Sequence, residues 1–308
     1  MLFRSVKQYQ ADAAHILLSS ISENRRETFP HGDEQFPCTS YLDRYSLKME
    51  GYPWHWHDEW EIAYVEHGGV TVRINDKAFR LKEGDGVFIG RRVLHAYSVC
   101  GTEAEMPNIL FRPSLLYGSQ ESVYWKRYIK PLILSSAFSC AILTDAVLWQ
   151  AEALKQARRA FSLLTAEAYG YEFRVRSALS EFVLQLCRNM PCGTERSAGQ
   201  QSEIDRVRQM LSFIQTHYTA PIQVQQIADS AFISRRECLR SFQSVIGSSP
   251  IQYVIALRLR KAKQLLLETD LPILDICAAC GFQNQSYFTK AFREKTGTTP
   301  AQFRKRAR

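Results

Sequence analysis

The hydrophobic pattern changes period twice along this chain. Between about residues 38 and 112, apolar and polar positions alternate in short runs rich in aromatic and β-branched residues. Turn-forming stretches at 66–69, 74–76 and 82–86 separate them, and VTVRI (70–74) and GVFIG (86–90) have the form of strands. Strand alternation sends every second side chain to the same face, so this region predicts an all-β barrel or sandwich. From about 121 to 188 the apolar positions recur at intervals of three and four, which predicts helices. Leu179, Phe182, Val183 and Leu186 form one stripe there, suited either to the core of the domain or to a seam between two chains. NMPCGTERSAGQQS (189–202) is rich in Pro, Gly, Ser and Gln and predicts a linker. Helical period then holds to the end.

The last third also repeats itself. Phe242-x4-Gly247-x2-Pro250-x-Gln252-Tyr253 recurs as Phe292-x4-Gly297-x2-Pro300-x-Gln302-Phe303, and QIADSAFIS (226–234) parallels DICAACGFQN (275–284) with one residue inserted. Such self-similarity indicates a duplicated unit. In each copy a short helix with small residues precedes a turn, then a capping residue (Ser234 or Asn284), then a helix that buries Phe242 or Phe292 and stops near glycine. That order is helix-turn-helix grammar. The segment 251–270 between the copies has helical period and length enough to separate two reading helices by about one turn of DNA.

Charge strengthens this reading. Residues 202–308 carry 16 Lys and Arg against 8 Asp and Glu, while the first 201 residues carry 23 of each. The whole net charge of +8 therefore sits in the last third, which implies a polyanionic partner. The eight cysteines are scattered, and the one close pair, Cys277 and Cys280, falls in a helical apolar setting that predicts packing rather than redox chemistry. No run of eighteen apolar residues and no signal-like N-terminus appears, so a cytoplasmic protein without a membrane span is expected.

GFQNQSYFTKAFREKTGTTPAQFR (281–304) and RLRKAKQLLLETDLPILDIC (258–277) resemble the AraC/XylS family of transcription regulators, with the DNA-binding part spanning about 204–306. Helical spacing puts Arg235, Arg236, Leu239 and Arg240 on or near the outward face of the first reading helix, and the resemblance implies that Arg236, Leu239 and Arg240 there, and Gln285, Ser286, Thr289 and Lys290 in the second copy, face double-stranded DNA. Arg suits guanine and Gln suits adenine. Leu239 departs from the polar residue common at its position. Arg258, Arg293, Lys305 and Arg306 are expected to serve phosphates or internal pairs.

The stretch WHWHDEWE (54–61) raises a second chemistry. Strand alternation would put His55, His57, Glu59 and Glu61 on one face and Trp54, Trp56, Asp58 and Trp60 on the other. The region resembles the cupin sensor domains found in many AraC/XylS members. His55, His57, Glu61 and Gly68 keep every interval of the first cupin motif, and Gly84 and His95 keep the separation of the second. Gly90 and Arg92 stand where that motif has Pro and Gly. The resemblance implies a metal set of His55, His57, Glu61 and His95, suited to a divalent transition metal. Two other readings stay open: direct contact with a sugar or small acid, extended by Tyr64 and with Arg73 and the tryptophans nearby, or a polar interior.

These readings combine into a multidomain α+β chain. Residues 1–37 form an N-terminal extension without an assigned role. A cupin-like jelly-roll barrel at 38–118 senses an effector, a helical segment at 119–190 mediates homodimerisation, and a linker at 191–202 leads to an all-α double helix-turn-helix domain at 203–308. A non-enzymatic, effector-controlled transcription regulator acting with RNA polymerase is expected. A metal- or redox-responsive regulator, and a metallocupin enzyme fused to a DNA-binding module, are the alternatives.

Overall fold

The computed structural model describes residues 26–27, 29–46, 51–74, 77–190 and 198–307, and divides into two compact units, residues 1–201 and 202–308. Most of the expected N-terminal extension and residues 191–197 of the expected linker lie outside the described residues.

In the first unit, β1 (Cys38–Tyr45), β2 (Trp60–Tyr64), β3 (His67–Ile74), β4 (Lys77–Lys82), β5 (Gly86–Ile89), β6 (His95–Phe111) and β7 (Cys140–Leu143) form one antiparallel sheet. Its order is β4-β3-β6-β2-β5-β7, with β1 also on β6. The long β6 serves three partners: its first part pairs with β3, its last part with β1 and β2. The sheet curls into a nearly closed barrel. The register of β3 shifts beside Gly68, where φ is +77° and a Cβ would meet the Glu103 carbonyl at 2.4 Å. Only glycine fits that bulge.

β2 is buried on both faces, and alternation sorts its side chains. Trp60, Ile62 and Tyr64 join Phe88, Ile109 and Phe111 in one apolar cluster, while Ala63 joins Val70, Val72, Ile89 and Met106 in a second. Short helical pieces follow the barrel: α1 (Ser114–Tyr117), a π-helical turn at Tyr124–Ile129 and α2 (Lys130–Leu134). The segment expected to be helical also contains β7, whose four residues Cys-Ala-Ile-Leu pair with β5. A run that short carries no period of its own, and only its neighbour makes it a strand.

The hairpin of α3 (Leu148–Ala166) and α4 (Tyr171–Asn189) covers the first cluster. Leu179, Phe182, Val183 and Leu186 are all buried there. The stripe is intradomain core, so a seam between chains would need another surface.

The second unit is helical: α5 (Ala198–His217), α6 (Val224–Ser230), α7 (Arg235–Ile246), α8 (Pro250–Glu268), α9 (Ile273–Ala279), α10 (Gln285–Thr296) and α11 (Pro300–Ala307). The repeat is visible in its caps. Ser234 Oγ accepts from Glu237 N–H at 3.2 Å, and Asn284 Oδ1 from Tyr287 N–H at 2.9 Å. Gly247 and Gly297 end α7 and α10 with the same left-handed φ of +76°. Ser249 with Gln252, and Thr299 with Gln302, then open α8 and α11 as matching capping boxes. Cys277 and Cys280 are buried free thiols packed with Leu259, Leu266 and Phe288. Among the described residues no helix is long and apolar enough to cross a membrane.

Candidate ligand pocket and nucleic-acid interface

In the second unit, α7 and α10 are the second helices of the two helix-turn-helix copies. Each turns its apolar face inward through Cys238 and Phe242, or Phe288 and Phe292. Arg235, Arg236, Leu239 and Arg240 are exposed on α7. Neither Arg235 nor Arg236 has a polar partner among the described residues, whereas Arg240 lies 3.9 Å from Glu237. On α10, Gln285, Ser286 and Lys290 are exposed and Thr289 is half-buried. All four line one open groove of about 740 Å³ together with Arg293. Arg258 is committed internally. Its Nε and Nη2 donate to the Tyr218 and Ala220 carbonyls, each at 2.7 Å, beneath a cation–π contact with Phe282.

The pocket of the first unit assembles from three separate backbone stretches. WHWHDEWE is not one strand: β2 begins only at Trp60, and a bend at 58–59 breaks the alternation. Glu59 consequently leaves the histidine face, and its Oε1 accepts from Arg112 Nε at 3.1 Å. His55 is held instead by an isolated bridge to His95, and the His57 carbonyl accepts from Arg92 N–H at 2.8 Å. Arg92 adopts a left-handed φ of +56°, at the position where the cupin motif has its second glycine.

His55, His57, Glu61 and His95 are all buried, and one donor atom from each lies within 4.8 Å of the others. The Nδ1 atoms face the carbonyls of Pro53, Glu59 and Val93 at 2.9, 3.1 and 2.8 Å respectively. A carbonyl oxygen only accepts, so each Nδ1 carries the hydrogen and each Nε2 turns inward. Glu61 Oε2 stands 3.1 Å from His57 Nε2 and 3.0 Å from His95 Nε2, yet His95 Nε2 has no hydrogen-bond partner. Tyr97 Oη donates to the other Glu61 oxygen at 2.8 Å.

Titration follows this crowding. Burial and then the neighbouring His95 push His55 down to about 3. Burial opposes charge on His57 as well, but contact with Glu61 wins and raises it. Burial would raise Glu61, but His95 and His57 hold it well below the usual carboxylate range. Three imidazoles with carbonyl-bound Nδ1–H groups and one ionised carboxylate fit the coordination chemistry of a transition-metal ion, including the outer hydrogen bonds that orient such ligands.

A cavity lined by His55, His57 and Glu61 but not by His95 measures about 20 Å³, room for one water-sized species. Glu27, His31, Asp43, Tyr52 and Asn108 also line it, none of them expected from the sequence. Asp43 and Asn108 are buried polar residues on neighbouring strands, where their side chains hydrogen-bond at 2.7 Å. Glu27 and His31 carried no signal in the sequence, since they lie outside every strand. Tyr64 is not brought to the pocket: Glu61 faces inward, so residue 64 faces the helices, where Arg158 and Phe161 contact its ring. Arg73 is exposed, and Trp60 belongs to the cluster under the helices. Asp58, beside His57, binds Arg26 at 2.8 Å and Arg92 at 2.7 Å, with Arg91 at 3.6 Å.

A family model described as "AraC-like ligand binding domain" matches residues 39–201, and one described as "Helix-turn-helix domain" matches residues 227–306. The chain is 27% identical over 290 residues to the uncharacterized HTH-type transcriptional regulator YdeC of Bacillus subtilis (strain 168), covering 92% of this chain and 97% of that protein. It is 25% identical over 282 residues to the HTH-type transcriptional activator RhaR of Escherichia coli O6:K15:H31 (strain 536 / UPEC), covering 91% and 95%. Among solved structures, the DNA-binding domain of AdpA in complex with a target DNA aligns with 32% of this chain and 87% of its own, at 30% identity and a TM-score of 0.31.

Proposed function

The chain belongs to the AraC-like family of DNA-binding transcription regulators with an N-terminal ligand-binding domain, and we propose that the ligand of that domain is a divalent transition-metal ion held by His55, His57, Glu61 and His95. One observation carries the reading: donor atoms of three imidazoles and a carboxylate lie within 4.8 Å of one another, beside a water-sized space lined by no Lys or Arg. A bound ion supplies the positive charge and Lewis acidity that these facing donors lack. A small acid would find no Lys or Arg there, and a sugar would need far more room than about 20 Å³.

The output is DNA binding. In this proposal Arg235, Arg236, Leu239 and Arg240 read one major-groove segment and Gln285, Ser286, Thr289 and Lys290 the next. Occupancy of the metal site shifts the population between two states of the regulator that differ in DNA affinity or spacing preference.

The test pairs elemental analysis of untagged protein with DNA binding in chelator and in added Mn²⁺, Fe²⁺, Co²⁺, Ni²⁺ or Zn²⁺. The expected result is about one ion per chain, lost in a His55→Ala/His57→Ala variant, and a change in DNA affinity or spacing on removing the ion. Well-folded wild-type protein that takes up no metal from any of these solutions would overturn the proposal.

A further inference from the structure

Hydrogen-bonding side chains do most of the reading on a helix that enters the major groove. The first copy departs from that chemistry at two positions. Leu239 stands on α7 between the exposed Arg236 and Arg240 and is 38% exposed. It lies four residues after Arg235, so the two side chains share a helix face. Phe232 stands in the turn, two residues before the Ser234 cap, and is 93% exposed.

The second copy has no apolar residue at either position. The two turns close with the same pair of hydrogen bonds, which fixes the correspondence. Phe232 N–H donates to the Asp229 carbonyl at 3.1 Å and Ile233 N–H to the Ala228 carbonyl at 3.2 Å. Gly281 N–H donates to the Ala278 carbonyl at 2.9 Å and Phe282 N–H to the Cys277 carbonyl at 3.0 Å. Phe232 therefore matches Gly281, and counting from the caps Ser234 and Asn284, Leu239 matches Thr289. Both turn residues have a left-handed φ, which glycine adopts without strain and phenylalanine does not. The first copy thus keeps an aromatic ring in water on a disfavoured backbone. Packing does not account for it, and a strained residue that packing leaves unexplained points to function.

The base edges of the major groove present one apolar group, the C5-methyl of thymine, and apolar side chains such as Phe contact it. The N-terminal part of a reading helix is the part that meets those edges. Phe232 lies just ahead of that part of α7, and Leu239 lies one turn into it. We infer that the first copy recognises thymine methyl groups through Leu239 and Phe232, so that the segment under α7 holds thymines beside the guanines suited to its arginines. This inference rests on the assignment of α7 as a reading helix given above.

The experiment uses the full chain and duplexes that it selects from randomised DNA. Each thymine of the selected site is replaced in turn by uracil, which removes only the C5-methyl group. Wild type, Leu239→Thr, Phe232→Gly and Arg236→Ala are compared, with urea melts alongside. The wild type should bind about fourfold more weakly on losing a contacted methyl, the worth of one such group buried. Leu239→Thr and Phe232→Gly should each become indifferent to uracil at one thymine of the first segment. Their salt dependence should stay that of the wild type, because no phosphate contact is lost. Phe232→Gly should show this loss while its fold is no less stable.

Selected sites without thymine in the first segment, or wild-type affinity on every uracil duplex, would overturn the inference whether or not the variants fold. A uracil profile shared by the wild type and both apolar variants would overturn it too, and would leave the two side chains to a protein partner. Base preference unchanged in Arg236→Ala as well would overturn the reading role of α7 itself.

Discussion

His55 and His95 exchange both backbone hydrogen bonds, at 2.9 and 3.0 Å, and bring their ring centroids to 4.1 Å. The bridge ties His55, outside every strand, to the first residue of β6, so the spacing of two imidazoles from distant sequence is set by main chain rather than by side-chain packing. Two residues beyond His95, Tyr97 pins the Glu61 carboxylate that lies between His95 and His57. Tyr97→Phe should therefore weaken metal binding by about 10- to 100-fold, the usual cost of losing an orienting partner. Competition against a chromophoric chelator measures it, and unchanged affinity would show that Glu61 needs no help in holding its orientation.

Arg236 and Arg240 stand exposed on α7, where a guanidinium can form two hydrogen bonds to a guanine edge. Replacing either by Ala should cost ~1–3 kcal/mol on the cognate site and relax base preference at one position. Lys290→Ala serves as the contrast on α10. Binding to a randomised panel of sites decides, and equal loss on every sequence would reduce the arginines to phosphate contacts.

Asp43 is enclosed in the pocket, and burial followed by the charge of Glu61 raises its carboxyl from 3.8 to about 7. The folded chain keeps this proton between about pH 4 and 7, where the unfolded chain has already lost it. Stability from this group is fully present below about pH 4 and is lost as pH rises through about 7. Asp43→Asn should thus raise the Tm of the metal-free protein more at pH 8 than at pH 5. An equal change at both pH values would mean that Asp43 titrates normally.

The repeat makes an internal comparison at the turns. Gly281 has φ +81°, and a Cβ there would lie 2.6 Å from the Tyr218 carbonyl oxygen. Its counterpart in the first copy is Phe232, with φ +55° and a side chain 93% exposed. A left-handed backbone costs a non-glycine residue roughly 1–2 kcal/mol, and glycine gives back about half of that in chain entropy. Phe232→Gly should stabilise the DNA-binding unit by roughly 0.5–1 kcal/mol in urea melts, whereas Gly281→Ala should destabilise it. A destabilised Phe232→Gly would mean that the ring makes contacts worth more than the strain.

Local chemistry explains what was readable in the sequence. Ser234, Asn284, Gly247 and Gly297 announce helix ends because capping depends on residue type within a few positions. His55, His57, Glu61 and His95 were legible through the spacing they share with cupin motifs, although the strand argument behind them also swept in Glu59, which the bend at 58–59 removes. Tyr64 was misplaced although alternation from Glu61 already turned it away. Glu27, His31 and β7 were invisible because each depends on a partner remote in sequence: Tyr52 and His55 for Glu27, Tyr41 for His31, and β5 for β7.

The two copies of the helix-turn-helix share their caps and a buried phenylalanine, Phe242 or Phe292, but not their outward side chains. One presents arginines and a leucine, the other Gln, Ser, Thr and Lys. On the proposed reading, a single chain that meets DNA through two unlike helices has no internal twofold axis to impose on its target. Its site then has a left and a right end, and turning that site around on the duplex would reverse the direction in which the whole regulator points along the chromosome.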